Sequence, residues 1–318
     1  MAWLAGTPSA AGFASKLHHK MLAALPVLVA AFSPVQPAFR HSARVGVPVC
    51  VAAADGVTRA LVPPRDREEM LNQAAAACLR AKADGLNRYT VRLFLPRGEE
   101  GKLFPPDESW QGGIMQLFYV CSPLVRDLLR KLSVEVAGVP PSMTEQRLDD
   151  SGVDGESVWF AQSSQPQDDA VGLVQPTYER MPQIRTLSKD AGTRPLLLCN
   201  PQWKERDDPL DALSRKDGFL GALGAVLGGK AQMEAELKET LGFRDVYTLA
   251  EYVCRGSRIC LHLAYPSGWT ASYRDDSDAW VPLLSGAEER PTYQEIEVAL
   301  QDAGVPFKMT EFDINNVV

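Results

Sequence analysis

The sequence predicts an α/β fold: a mixed sheet with parallel crossover units in the first half and an antiparallel meander in the second, flanked by helices. Three observations carry this. Leu196 to Cys199 is a short apolar run with the length of a buried strand, and Asn200-Pro201 stops it at once. Before it, runs with apolar residues at helical spacing alternate with short β-rich runs, the order of strand–helix–strand units. After it, Val246 to Arg255 and Arg258 to Tyr265 flank Gly256-Ser257, which reads as a hairpin.

The bulk numbers narrow the function. The chain has 318 residues, 45% of them hydrophobic and 23% charged, an ordinary globular balance. A net charge of −7 argues against a general nucleic-acid surface. Six cysteines, at 50, 78, 121, 199, 254 and 260, form no Cys-x-x-Cys and read as reduced core residues. Three of the four histidines, His18, His19 and His41, precede the expected mature start. Only His262 remains for histidine chemistry, which rules out most multi-histidine metal sites.

Residues 1–55 read as a presequence, separate from a single α/β domain over 62–318. The first acidic residue is Asp55. Met21 to Ala31 is apolar, follows a basic stretch and has the length of a signal-peptide core, too short for an ordinary membrane span. Phe32 to Arg44 is basic, hydroxylated and free of acids, as in a transit peptide. Ala30-Ala31-Phe32-Ser33-Pro34 resembles the Phe-centred junction of bipartite presequences in algae with secondary plastids. A simple secretory signal and a disordered tail are the alternatives.

Pro63 to Asp66 opens a helix whose face is Met70, Ala74, Ala77, Cys78 and Ala81 and which Gly85 ends. Tyr89 to Leu95 is a strand closed by Pro96. A loop over Arg97 to Gly113 leads to a helix through Ile114, Leu117, Cys121, Val125, Leu128 and Leu132, which Pro123 kinks or splits. Val134 to Val136 reads as a short strand, completing a crossover. Pro140 to Gly155 is polar and turn-rich, Ser157 to Ala161 a strand, and Gln162 to Asp169 a linker. Tyr178 to Ala191 forms a helix that feeds Leu196.

Lys204 to Lys216 is charged, and Phe219 to Gly229 is apolar with spaced glycines. Met233 to Leu241 is a charged helix stopped by Gly242. In the hairpin, a type II′ turn at Gly256-Ser257 sets Cys254 opposite Ile259 and Tyr252 opposite Leu261. Tyr252, Cys254, Ile259, Leu261 and Leu263 then share the core face, with Cys254 and Cys260 on opposite faces. Trp269 to Tyr273 and Ala279 to Leu284 add strands, Pro291 to Ala303 a last helix, and Val305 to Phe312 a final edge strand.

Asn200-Pro201-Gln202-Trp203 carries the functional interest. Proline fixes φ and pushes Asn200 out of the helical region, so the chain leaves the sheet there. Gln202 and Trp203 are presented at a strand's carboxyl end, the edge where open α/β sheets bind ligands and partners. Large aromatics mostly bury area, so Trp203 reads first as a lid on the core and second as a partner anchor. As a lid its removal would cost about 3–5 kcal/mol.

Asn-Pro-Gln-Trp after an apolar strand resembles the signature of a plastid family, the domain-of-unknown-function family nineteen-ninety-five, to which Low Photosystem II Accumulation proteins belong. A related domain follows the kinase domain of one plant plastid adenylate kinase. Pro266-Ser267-Gly268-Trp269 resembles the family's later Pro-to-Trp turn. The resemblance runs from about Pro63 to Phe312. It implies a non-enzymatic plastid accessory protein for photosystem assembly or thylakoid biogenesis, in the stroma or on the thylakoid surface, with no cofactor. The implied partners are thylakoid assembly factors or photosystem subunits.

Other motifs are weaker. Gly224 to Lys230 fits Gly-x4-Gly-Lys, but Ala231 stands where a phosphate loop needs Ser or Thr for Mg²⁺. The segment reads as packed or flexible, or as a surface for a partner or for peripheral membrane contact. An enzyme using it with the strand end at Asn200 is the alternative function. His262 lacks a nucleophile motif and reads as structural or surface. Asp275, Asp276 and Asp278, like Asp149, Asp150 and Asp154, read as solvated turns and not as a cation site.

Overall fold

A computed structural model describes residues 61–96, 113–148, 152–153, 155–203 and 230–308. In order these form α1 (Arg67–Ala83), β1 (Arg88–Arg92), α2 (Ile114–Ala137), β2 (Ser142–Arg147), β3 (Ser157–Gln162), β4 (Ala170–Val174), α3 (Met181–Ala191), β5 (Leu196–Cys199), α4 (Lys230–Ala235), β6 (Arg244–Cys254), β7 (Ser257–Ala264), β8 (Trp269–Arg274), β9 (Trp280–Ala287) and α5 (Tyr293–Asp302). The strands make one nine-stranded mixed sheet in the order β2-β3-β4-β5-β1-β6-β7-β8-β9. Beside β1, β5 and β6 both run parallel to it, and β4 is parallel to β5. Everything from β6 to β9 is antiparallel. The expected α/β class, with a mixed sheet and flanking helices, is present, and the second half is the expected antiparallel meander; the first half adds an antiparallel ribbon, β2-β3-β4, to its parallel strands.

Both faces of the central strands are covered. Leu197, Cys199, Tyr89, Val91 and Val174 pack with α1 and α2, while Leu196, Leu198, Val171 and Leu173 pack with α3 and Leu237. Burial on both faces is why β4 and β5 read as unbroken apolar runs. A third cluster sets Tyr252, Cys254, Ile259 and Leu261 against Ile296 and Leu300 of α5. Asp66 caps α1 by accepting from Glu69 N at 2.8 Å. Thr292 and Glu295 form a capping box on α5. Two arginines cap the carboxyl end of α3, whose last carbonyls lack helical partners. The Arg88 guanidinium donates to Ser188 O at 2.5 Å, Gly192 O at 2.8 Å and Arg194 O at 3.1 Å. Arg194 donates to Asp190 O at 2.6 Å and Ala191 O at 3.0 Å.

Several expectations are corrected. Val134 to Val136 is not a strand but the last part of α2. Pro123 does not split that helix, because the residues around it, Cys121, Leu124, Val125 and Leu128, are anchored in the core. The strand after α2 is β2, in the stretch read as turns. It is an edge strand, paired to β3 alone and mostly exposed, so it carries no apolar alternation to reveal it. The nearest crossover is β4–α3–β5, and β4 itself stands directly behind the Gln162 to Asp169 linker, where no strand was expected.

The hairpin register also moves. Cys254 pairs with Ser257, Tyr252 with Ile259 and Ala250 with Leu261. The loop is Arg255-Gly256, with φ of +52° and +74°, and two positive φ values define a type I′ turn in place of II′. The shift preserves parity, so the expected face survives: Tyr252, Cys254, Ile259 and Leu261 share one cluster and Cys260 lies in the other. Gly256 also lets the chain near Lys308 cross the hairpin tip, since a Cβ there would stand 1.8 Å from Lys308 O. Val305 to Lys308 is not a strand, and the rest of that expected edge lies outside the described residues. So do the Arg97 to Gly112 part of the loop, Lys204 to Gly229, and Asp149, Asp150 and Asp154.

At Gly172 of β4, α2 packs close against the sheet. An added Cβ would lie 2.9 Å from Val125 Cγ1 and 3.2 Å from Leu129 Cδ1. Gly172→Ala is therefore expected to cost about 1–3 kcal/mol through overpacking, read as a lowered urea midpoint with unchanged slope.

Candidate functional site

The strand order creates a switch point between β5 and β1. The helix after β1, α2, lies on one face of the sheet, whereas Leu237, in the connection from β5 to β6, packs on the other. The crevice at the carboxyl ends of such a strand pair is where open α/β sheets take ligands. Asn200 stands there.

Asn200 has a φ of +48°, in the left-handed region that Asn tolerates. Its N–H donates to Val91 O at 2.8 Å. Its side-chain amide then stands in for a strand residue: Oδ1 accepts from Leu93 N at 3.0 Å and Nδ2 donates to Leu93 O at 2.7 Å. This clip joins β5 to the chain just beyond β1, and it uses both ends of the carboxamide. Pro201 is buried, and its carbonyl accepts from Arg92 Nη1 at 3.2 Å. Gln202 is exposed; its N–H donates to Pro176 O at 3.0 Å and its Nε2 to Asn200 O at 3.0 Å.

Trp203 is half-buried rather than sealed. It stacks on Tyr178 with ring centroids 4.9 Å apart and planes 17° from parallel. With Tyr178 it packs on the edge of the core cluster that holds Leu196, Leu198 and Leu173, so it covers part of the core as a lid does, but as a ring left partly exposed it falls short of the full penalty for a sealed aromatic. Tyr178 is held from behind by a buried carboxylate. Glu156, 1% exposed, accepts from Thr177 N at 2.8 Å and Thr177 Oγ1 at 2.7 Å, and it pairs with Arg180 Nε. Tyr178, Glu156 and Gln175 were absent from the sequence-based site. One signal could have found Tyr178 and Gln175, though not Glu156. Val171 to Tyr178 and Leu196 to Trp203 share a pattern of four strand residues, a carboxamide, Pro, a polar residue and an aromatic.

Trp269 is not brought to this edge. It is 5% exposed and begins β8, which runs with β1, so it lies at the amino edge of the sheet. There the Arg290 guanidinium sits 5.7 Å from its ring centroid, and the preceding Tyr265–Pro266 peptide is cis. His262 is interior, 1% exposed, with its ring 5.4 Å from that of Tyr247. Asp275 organises its own turn, accepting from Ser277 N and Ala279 N, each at 2.9 Å, while Asp276 pairs with Lys308 and Asp278 with Arg274. Among the described residues no group of three or more His, Cys, Asp or Glu is arranged to hold a metal. Cys78, Cys121, Cys199, Cys254 and Cys260 are free and buried, and burial pushes the Cys78 thiol up to about 12. No described helix is long and apolar enough to cross a membrane.

No curated protein and no solved structure matches the chain. A family model does, the one described as Domain of unknown function (DUF1995), over residues 64–298. That span holds β1 through β9, the Asn200 clip and most of α5, and the chain belongs to this family.

Proposed function

We propose that the protein is a non-enzymatic accessory factor of the plastid, acting in photosystem assembly or thylakoid biogenesis, and that it meets its partner through the Tyr178–Trp203 pair. The observation that carries this reading is the half-buried stack at the switch point. Asn200 and Pro201 are committed to closing the sheet, which leaves Trp203 and the exposed Gln202 as the outward part of the motif. A rigid aromatic pair loses little entropy on binding and gives large contact area, as binding anchors do. Partners would be thylakoid assembly factors or photosystem subunits, met in the stroma or on the thylakoid surface. The acid-free, signal-plus-transit pattern before Asp55 supports plastid delivery.

Trp203→Ala tests the reading. With the ring only partly buried, the expected cost in stability is about 2 kcal/mol, short of that for a sealed aromatic. Affinity capture from isolated plastids should lose its specific partner in this variant while the melting curve falls only slightly. Undiminished capture, or unfolding of the variant, would return Trp203 to a purely structural role. Targeting has its own check. A fluorescent protein fused after about residue 55 should reach the plastid, and secretion or a cytosolic signal would count against that location.

A further inference from the structure

The two strand ends are copies of one device. Val174 pairs with Cys199, so Gln175 matches Asn200, Pro176 matches Pro201 and Tyr178 matches Trp203. The likeness extends to the backbone. Gln175 has a φ of +49° against +48° for Asn200. Gln175 N donates to Cys199 O at 2.9 Å, as Asn200 N donates to Val91 O at 2.8 Å, each to the register partner of the preceding residue. The side chains part company. The Asn200 amide clips the N–H and C=O of Leu93, two residues beyond Val91 along the neighbouring strand's path. The equivalent position for Gln175 is Pro201, which has no N–H and whose carbonyl already accepts from Arg92. Gln175 is 0% exposed, and neither its Nε2 nor its Oε1 has a partner. A buried carboxamide with both ends unpaired is costly to the fold, and such groups call for a water, an ion or a ligand.

We propose that Gln175 and the Tyr178–Trp203 stack form a binding site for a small flat heterocycle with a lactam edge, an N–H beside a C=O. Asn200 shows what a carboxamide at this place does, which is to hold one donor and one acceptor side by side. A lactam edge offers that pair to Gln175, and the ring plane offers a face to the stacked aromatics. The location at a switch point is an independent argument for a ligand. Because Gln175 is fully buried, entry moves neighbouring side chains, and the paired edge ends fully desolvated. This inference goes beyond the partner reading and does not depend on it.

The test uses the full chain and two probes, 1-methyluracil and 1,3-dimethyluracil, which differ by the ring N–H. Saturation-transfer NMR should show saturable binding of the first and about tenfold weaker binding of the second, the loss expected for one desolvated hydrogen bond. Gln175→Met should bind 1-methyluracil equally poorly while melting at or above the wild type, since the unpaired amide is gone. The comparison of probes on the wild type needs no variant, so it stands even if the Met variant fails to fold. Absence of saturable binding, equal affinity for the two probes, or undiminished binding by Gln175→Met each overturns the proposal. So does a crystal structure in which one ordered water holds both amide atoms and 1-methyluracil does not displace it.

Discussion

Glu156→Ala is expected to lower stability by about 3–5 kcal/mol, the cost of removing one partner from a buried ion pair. The carboxylate is 1% exposed and joins β3 to the turn before α3. Without it, Thr177 N–H and the Arg180 guanidinium, whose side chain is 13% exposed, lose their acceptor. A domain with about 5–15 kcal/mol in hand would be weakened severely. For a domain of this size the melting temperature should fall by roughly 10 °C. Glu156→Gln keeps an oxygen for Thr177 and should lose less. The arrangement also makes a local claim. The near-ultraviolet circular dichroism of the Tyr178–Trp203 pair should change in the Ala variant below its melting transition, because the turn carrying Tyr178 is no longer held. An Ala variant that melts within a degree or two of the wild type would show that the network contributes little.

Acid should destabilise the fold through His262, the second large effect. Burial lowers its pKa from 6.5 to about 3. Neither ring nitrogen has a hydrogen-bond partner, and the ring faces Tyr247 edge-on. In the unfolded chain the imidazole protonates near its ordinary value, while in the folded chain it stays neutral. Between these two pKa values the unfolded state therefore binds more protons, so stability is complete above about pH 6.5 and falls as the pH drops toward 3. A shift from 6.5 to about 3 amounts to about 5 kcal/mol in full, and about 2–3 kcal/mol of it should be lost by pH 4.5. His262→Leu removes both the titration and the unpaired nitrogens. The stability difference between the two proteins, from urea midpoints at pH 7.5, 5.5 and 4.5, should grow in the variant's favour as the pH falls. Parallel curves would exclude His262 as the cause of acid sensitivity.

The sequence by itself determined what depends on local pattern. The α1 helix, with its Asp66 cap and Gly85 stop, is written in adjacent residues. So is the end of β5 at Asn200-Pro201. The faces of β6 and β7 were legible even though the turn was misplaced, because side chains alternate with period two and the displacement kept parity. Family membership rested on one short motif in its wider pattern. Only the tertiary structure decided what depends on neighbours distant in the chain. β2 is a strand because β3 lies beside it, not because its polar residues prefer one. Leu93 gave no sign that a side chain after β5 would hold its backbone. Tyr178 and Trp203 stack because β4 and β5 pair in parallel with one register, which carries two matching turns to the same edge. That register also sets Pro201 where Gln175 would need an N–H. The carboxamide at one strand end is thus satisfied and its counterpart is not, since hydrogen-bond partners across a sheet are assigned by strand order and register, which no single segment contains.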